Sequence, residues 1–219
     1  MIRVLIADDH DILRAGLKHI LSEAGDIVVA GEASNGLEAI AQLRAGQWDS
    51  AVLDLSMPGR NGIELIKQVK AEFPRLPILI LSMYKEDIYA VRALKAGASG
   101  YLCKDNAESL LVDAIRKIAG GGLFITQDVA EDLTRDMLQG NSEQLPHKRL
   151  TDRNYQIFLM LVQGLGVSEI ARRLKLSVKT VSTHKATIQA RMGLSNTAEL
   201  VRYAIQHQLI EGGAPLLEG

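Results

Sequence analysis

The first 120 residues alternate five times between a short apolar run and a helical hydrophobic pattern, and few folds accommodate that rhythm. Four of the runs are Val4-Leu5-Ile6-Ala7, Ala51-Val52-Leu53, Ile78-Leu79-Ile80-Leu81 and Gly100-Tyr101-Leu102-Cys103. Helical patterns fall near 11–24, 36–45, 62–72, 86–96 and 107–119, with Gly or Pro at most junctions. Strands separated by helices of this length predict a parallel sheet with right-handed crossovers and helices on both faces. Ligands of such open sheets gather at the carboxyl ends of the strands. Those ends carry Asp8 and Asp9, Asp54, Ser82 and Lys104. The pattern therefore predicts three carboxylates, a hydroxyl and an ammonium on one edge.

Each residue alone reads blandly. An Asp-Asp pair is usually a loop or a helix cap, Asp54 would pass for a turn residue, and Lys104 for a surface lysine. Their shared position at strand ends is what points to a site. Three carboxylates in one crevice repel each other, and burial pushes such groups toward protonation. A hard divalent cation resolves the conflict, and Mg²⁺ suits carboxylates, a carbonyl and water. In this reading Asp8 and Asp9 hold the ion, joined by Asp54 and the backbone carbonyl of Ser56. Asp54 is the nucleophile toward a phosphoryl donor, and Lys104 offsets charge on the transferring oxygens.

Residues 2–120 resemble the receiver domain of two-component response regulators. The resemblance is carried by Asp8-Asp9, Asp54 within Leu-Asp-Leu-Ser-Met-Pro-Gly, Ser82, Tyr101 and Lys104-Asp105. It implies a flavodoxin-like (βα)5 domain, strand order 2-1-3-4-5, with a five-stranded parallel sheet. It also implies Mg²⁺ ligands at Asp8 and Asp9, a phosphoacceptor at Asp54 and a phosphoryl-sensing hydroxyl at Ser82. Tyr101 becomes a switch aromatic and Lys104 a phosphoryl-binding lysine. Asn61 departs from the family, which often carries Asp before the following glycine.

The formal charge of −1 hides an asymmetry: −2 over residues 1–122, −4 over 123–147 and +5 over 148–219. A basic end behind an acidic segment suggests that only the C-terminal part meets a polyanion. These boundaries are the expected division into receiver, acidic helix with flexible linker, and DNA-binding domain. Val129, Leu133, Met137 and Leu138 suggest one amphipathic helix, and 139–146 reads as a polar tether. From Leu150 the pattern is all helical, near 152–163, 167–174, 178–192 and 196–207.

In that region Ile170, Ala171 and Leu174 line one face of a short helix, and Ser177 is placed to cap the next. Val181, Ile188 and Met192 form a stripe on the second helix, opposite Lys179, Ser182, Thr183, Ala186, Thr187 and Ala190. A small, polar exposed face is what a major groove admits. Leu150-Thr151-Asp152-Arg153, Glu169-Ile170-Ala171 and Ser177…Thr180-Val181…His184 resemble the LuxR-type helix-turn-helix of the NarL/FixJ group. That resemblance implies a small all-α four-helix domain with Lys179, Ser182, Thr183 and Ala186 facing the groove. Lys185 ranks as a phosphate contact at most, Arg172, Arg173 and Lys175 as phosphate anchors, and His184 as a packing residue. Asn154 stands where the family usually has Glu, and Gly166 where it has Ser or Thr.

The expected function is a phosphorylation-controlled, DNA-binding transcription regulator rather than an enzyme. Its expected partners are a sensor histidine kinase, double-stranded promoter DNA and a second copy of itself when phosphorylated. No run of about 18 apolar residues suggests a membrane span, no secretion signal is evident, and the lone Cys103 suits a reducing cytoplasm. A phosphatase using Asp54 is disfavoured because Ser56 stands where an acid/base Asp would be needed. A ligand-sensing LuxR-type regulator would not need three converging carboxylates. A receiver that works without phosphorylation is disfavoured by the complete acceptor set.

Overall fold

The computed structural model describes residues 1–57, 62–83, 86–127, 129–131, 133–134, 145–207 and 209–210, with backbone alone at 86–88. Asn61, Met137, Leu138 and most of the expected tether lie outside the described residues. The chain divides into two compact units, 1–140 and 141–219.

In the first unit, strands β1 (Ile2–Ala7), β2 (Ile27–Ala33), β3 (Ser50–Asp54), β4 (Ile78–Ser82) and β5 (Gly100–Cys103) form one sheet. Its order is β2-β1-β3-β4-β5 and every pairing is parallel. Helices α1 (Asp11–Glu23), α2 (Gly36–Ala45), α3 (Gly62–Glu72), α4 (Glu86–Lys95) and α5 (Ala107–Ala119) connect the strands. Every residue of β3 and β4 is buried. Sheets covered on both faces need such unbroken apolar strands. Val4, Ile6, Val52, Leu79 and Leu81 pack with Leu17 and Leu21 of α1 and Leu111 and Ile115 of α5 in one core cluster.

Asn35 caps α2 by accepting from the Leu37 and Glu38 N–H groups, while Glu38 accepts from the N–H of Ser34. Phe124 extends the β5 edge, since the N–H of Tyr101 donates to its carbonyl and its own N–H donates to Ser99. Gly100 permits this approach: a Cβ there would lie 2.9 Å from the Phe124 oxygen. Ala130 and Thr134 bond back to Thr126 and Ala130 with helical spacing.

The second unit holds a 3-10 turn at Pro146–Arg149 and helices α6 (Asp152–Val162), α7 (Val167–Leu174), α8 (Val178–Met192) and α9 (Thr197–Gln206). Thr151, Ser177 and Asn196 cap α6, α8 and α9 by accepting backbone N–H bonds. The buried residues of α7 are Ile170, Ala171 and Leu174, and those of α8 are Val181, Ile188 and Met192. These are the two apolar stripes expected from spacing.

Candidate functional site

Parallel register builds the acidic edge. Ala7 pairs with Leu53, so the next residues, Asp8 and Asp54, leave adjacent strands side by side. Asp54 pairs with Leu81, which sets Ser82 one position further along β4, and Ser82 pairs with Cys103, which precedes Lys104. Asp8, Asp54 and Ser82 are all buried. Lys104 reaches in from the turn after β5, its Nζ 2.7 Å from Asp8 Oδ2 and 3.0 Å from Asp54 Oδ2.

The carboxylates are held by local backbone. Asp54 Oδ1 accepts the Ser56 N–H at 3.0 Å, and Asp8 Oδ1 accepts the His10 N–H at 2.8 Å. Ser56 itself is exposed, and what reaches Asp54 is its amide rather than its carbonyl. Asp9 sits at the exposed rim, its Oδ1 3.2 Å from His10 Nδ1. Tyr101 is buried within β5, opposite Ile80. Cys103 is buried, its Sγ 3.7 Å from Asp105 Oδ2.

Burial pushes the Asp54 carboxyl above the usual carboxylate range, although Lys104 and the Ser56 amide pull the other way. For Lys104, burial alone would lower the ammonium, but Asp54 and Asp8 outweigh it and hold it above its ordinary value. Asp54 Oδ2 is engaged by the 3.0 Å ion pair to Lys104 and accepts no further hydrogen bond among the described residues. That oxygen is therefore a buried acceptor with capacity to spare. Ligand atoms of Asp8, Asp9, His10 and Asp54 all lie within 4.8 Å of one another, a donor set that fits a divalent cation.

Two participants carry no separate sequence signal. His10 reads as the start of α1, yet its Nδ1 lies 3.1 Å from Asp8 Oδ1. Arg14, one turn along α1, donates to the Asp8 carbonyl and also pairs with Asp11. It fixes the loop on which the acidic pair stands.

In the second unit Lys179, Ser182, Thr183 and Ala186 are exposed on α8, and Lys185 is half-buried. The Thr183 hydroxyl donates back to the Lys179 carbonyl at 3.0 Å. Arg172 and Arg173 are exposed but converge on Glu169, with nearest approaches of 2.7 Å each. Their guanidinium groups are thus aligned by an acid on their own helix. Gly166 caps α7 with no side-chain bond. His184 faces the domain's interior, its Nδ1 2.7 Å from the Oδ1 of buried Asn154. The Asn that departs from the family pattern thus has a hydrogen-bonding partner within the domain, which adds a polar contact to the packing role of His184.

Comparison with known proteins identifies both units. Residues 4–116 match the response regulator receiver domain, and 148–204 match the luxR family of bacterial regulatory proteins. The response regulator UvrY of Escherichia coli K12 is 34% identical over 209 residues, covering 95% of this chain and 96% of its own. The oxygen regulatory protein NreC of Staphylococcus carnosus is 34% identical over 215 residues, covering 95% and 99%. The structure of RcsB from Salmonella enterica serovar Typhimurium, bound to promoter rprA with phosphomimetic BeF3⁻, superposes with a TM-score of 0.65. It is 28% identical and covers 93% of this chain and 98% of that one. The chain belongs to the two-component response regulators of the NarL/FixJ type, with a receiver domain and a LuxR-type DNA-binding helix-turn-helix.

Proposed function

We propose that this response regulator accepts a phosphoryl group from a sensor histidine kinase on Asp54 and thereby controls the binding of its helix-turn-helix to promoter DNA. The observation that carries this reading is the buried Asp54 carboxylate. One of its oxygens is fixed by the Ser56 amide, and the other lies 3.0 Å from Lys104 Nζ with hydrogen-bonding capacity unspent. An anion placed that way is oriented before a donor arrives, which removes much of the entropic cost of attack. Lys104 stands where charge on the transferring oxygens needs compensation.

Asp8, Asp9 and Asp54, with the Ser56 carbonyl, would hold Mg²⁺. Bound there, Mg²⁺ offsets the mutual repulsion of the carboxylates and the charge of the incoming phosphoryl oxygens. Phosphorylation adds charge and three strong acceptor oxygens beside Ser82. Ser82 turning toward an oxygen, with Tyr101 following into the vacated volume, biases a two-state equilibrium of the surface made by α4, β5 and α5. The output is release or dimerisation of the C-terminal domain, since two weak modules bind better once linked. RcsB has been observed as dimers bound to DNA. Lys179, Ser182, Thr183 and Ala186 face the groove, with Lys185, Arg172 and Arg173 on phosphates. With its hydroxyl bonded back to the helix, Thr183 offers its methyl outward, as Ala186 does. The working division is receiver 1–122, connecting segment 123–147 and DNA-binding domain 148–219.

Gel shifts on duplexes selected from a random pool test the reading. Beryllofluoride with Mg²⁺ is expected to tighten binding by the wild type and not by Asp54→Ala. Equal affinity with and without beryllofluoride contradicts control by phosphate.

A further inference from the structure

The acidic pocket holds a nitrogen donor that a site for a hard cation does not call for. His10 Nδ1 lies 3.1 Å from Asp8 Oδ1 and 3.2 Å from Asp9 Oδ1. Its backbone is fixed over the acidic pair by the 2.8 Å bond from its own N–H to Asp8 Oδ1. The imidazole is 67% exposed, so it turns toward or away from the pocket without disturbing the core. Buried Asp54 brings a carboxylate oxygen within 4.8 Å of the ligand atoms of Asp8, Asp9 and His10, and its Oδ2, paired with Lys104, accepts no further hydrogen bond among the described residues.

We propose that His10 makes this pocket a mixed oxygen and nitrogen site that takes a borderline divalent cation, Zn²⁺, in competition with Mg²⁺. The proposal rests on the reading of the pocket as a cation site and adds selectivity to it. Mg²⁺ demands oxygen donors in near-octahedral array and keeps several waters, so it has no use for an imidazole. Zn²⁺ is satisfied by four donors drawn from His nitrogen and carboxylate oxygen. Asp8, Asp9 and Asp54 supply three oxygens and His10 one nitrogen, all within 4.8 Å of one another. Imidazole tilts any carboxylate site toward zinc and its neighbours in the transition series.

The test titrates the full-length protein with ZnCl2 against a chromogenic chelator, with and without excess MgCl2. Only zinc displaced by Mg²⁺ is counted, because His19 and Glu23 form a separate surface pair on α1. Calorimetry gives the Mg²⁺ affinity of the same samples; retained Mg²⁺ binding shows that His10→Ala is folded, and an unchanged urea melt shows it for Asp9→Asn. His10→Ala is expected to weaken Mg²⁺-displaceable zinc binding by about tenfold or more while leaving Mg²⁺ affinity within about twofold. Unchanged zinc affinity in His10→Ala, or equal loss of both cations, overturns the proposal. Asp9→Asn separates the two levels. If Asp9→Asn weakens both cations while His10→Ala spares zinc, only the role of His10 fails. If Asp9→Asn weakens neither, the pocket is not a cation site and the underlying reading fails with it.

Discussion

Replacing Lys104 with alanine removes one ammonium that serves two buried carboxylates. The lysine side chain is 5% exposed, and neither carboxylate exceeds 1%. Deleting one partner of a buried pair costs about 3–5 kcal/mol, because the remaining charge keeps its desolvation penalty. Lys104→Ala strands both Asp8 and Asp54, so the loss at neutral pH is expected within that range. For a unit of this size it lowers the melting temperature by roughly 10–20 °C. The chain has a single tryptophan, Trp48, in the first unit, so its fluorescence during urea unfolding reports that unit alone.

Asp54→Asn in the Lys104→Ala background removes a charge that no longer has a partner, and should restore about 1–3 kcal/mol in a double-mutant cycle. Burial already raises the folded-state pKa of Asp54, so the folded state binds its proton more readily than the unfolded chain. Stability from this group therefore falls as pH rises from the unfolded carboxylate value through the folded one. Loss of Lys104 widens that window upward. The deficit of Lys104→Ala should thus be largest at and above neutral pH and shrink on acidification. A deficit under about 1 kcal/mol at pH 7.5, or no recovery with Asp54→Asn, refutes the argument.

Other substitutions probe the second unit. Gly166→Ser should stabilise it by about 0.5 kcal/mol, since the serine adds a cap to α7 and stiffens the unfolded chain. The backbone there has φ −71° and a Cβ meets nothing within 4 Å, so a thermal melt that fails to rise contradicts the cap assignment. Asn154→Ala should cost about 1–2 kcal/mol by leaving His184 without its acceptor, measured by urea unfolding of the full chain. Burial, helped by Arg153, lowers the His184 pKa below its usual value. Its contribution is therefore full above about pH 6.5 and declines as pH falls toward the folded-state value. His184→Gln should remove that part of the acid sensitivity, and an unchanged profile argues against the assignment.

The acidic edge was legible because parallel strands cross the sheet in register, so residues that follow apolar runs become neighbours. Asp8, Asp54 and Lys104 are spread over nearly a hundred positions, yet each is the first polar group after its strand or the last residue of it. The helix-turn-helix stripes were legible because Val181, Ile188 and Met192 fall on one side of a 3.6-residue period. His10 carries no signal in the sequence because a residue between an aspartate pair and a helix has no periodicity of its own. The bond between Asn154 and His184 spans thirty residues and two helices, which no local pattern encodes. The charge pattern puts Phe124 in the connecting segment, and its backbone bonds to the edge of β5. The convergence of Arg172 and Arg173 on Glu169 follows from three- and four-residue helix spacing and was within reach of the sequence.

Phosphotransfer followed by borohydride reduction tests the central claim most directly, because it converts an acyl phosphate on aspartate into homoserine at the same position. With Mg²⁺ and a phosphorylated histidine kinase or acetyl phosphate, peptide mass spectrometry should find homoserine at position 54 in the wild type. The modification should be absent in Asp54→Ala. Robust acyl phosphate in Asp54→Ala, or a modification that maps to Asp8, Asp9 or elsewhere in the wild type, would contradict the account.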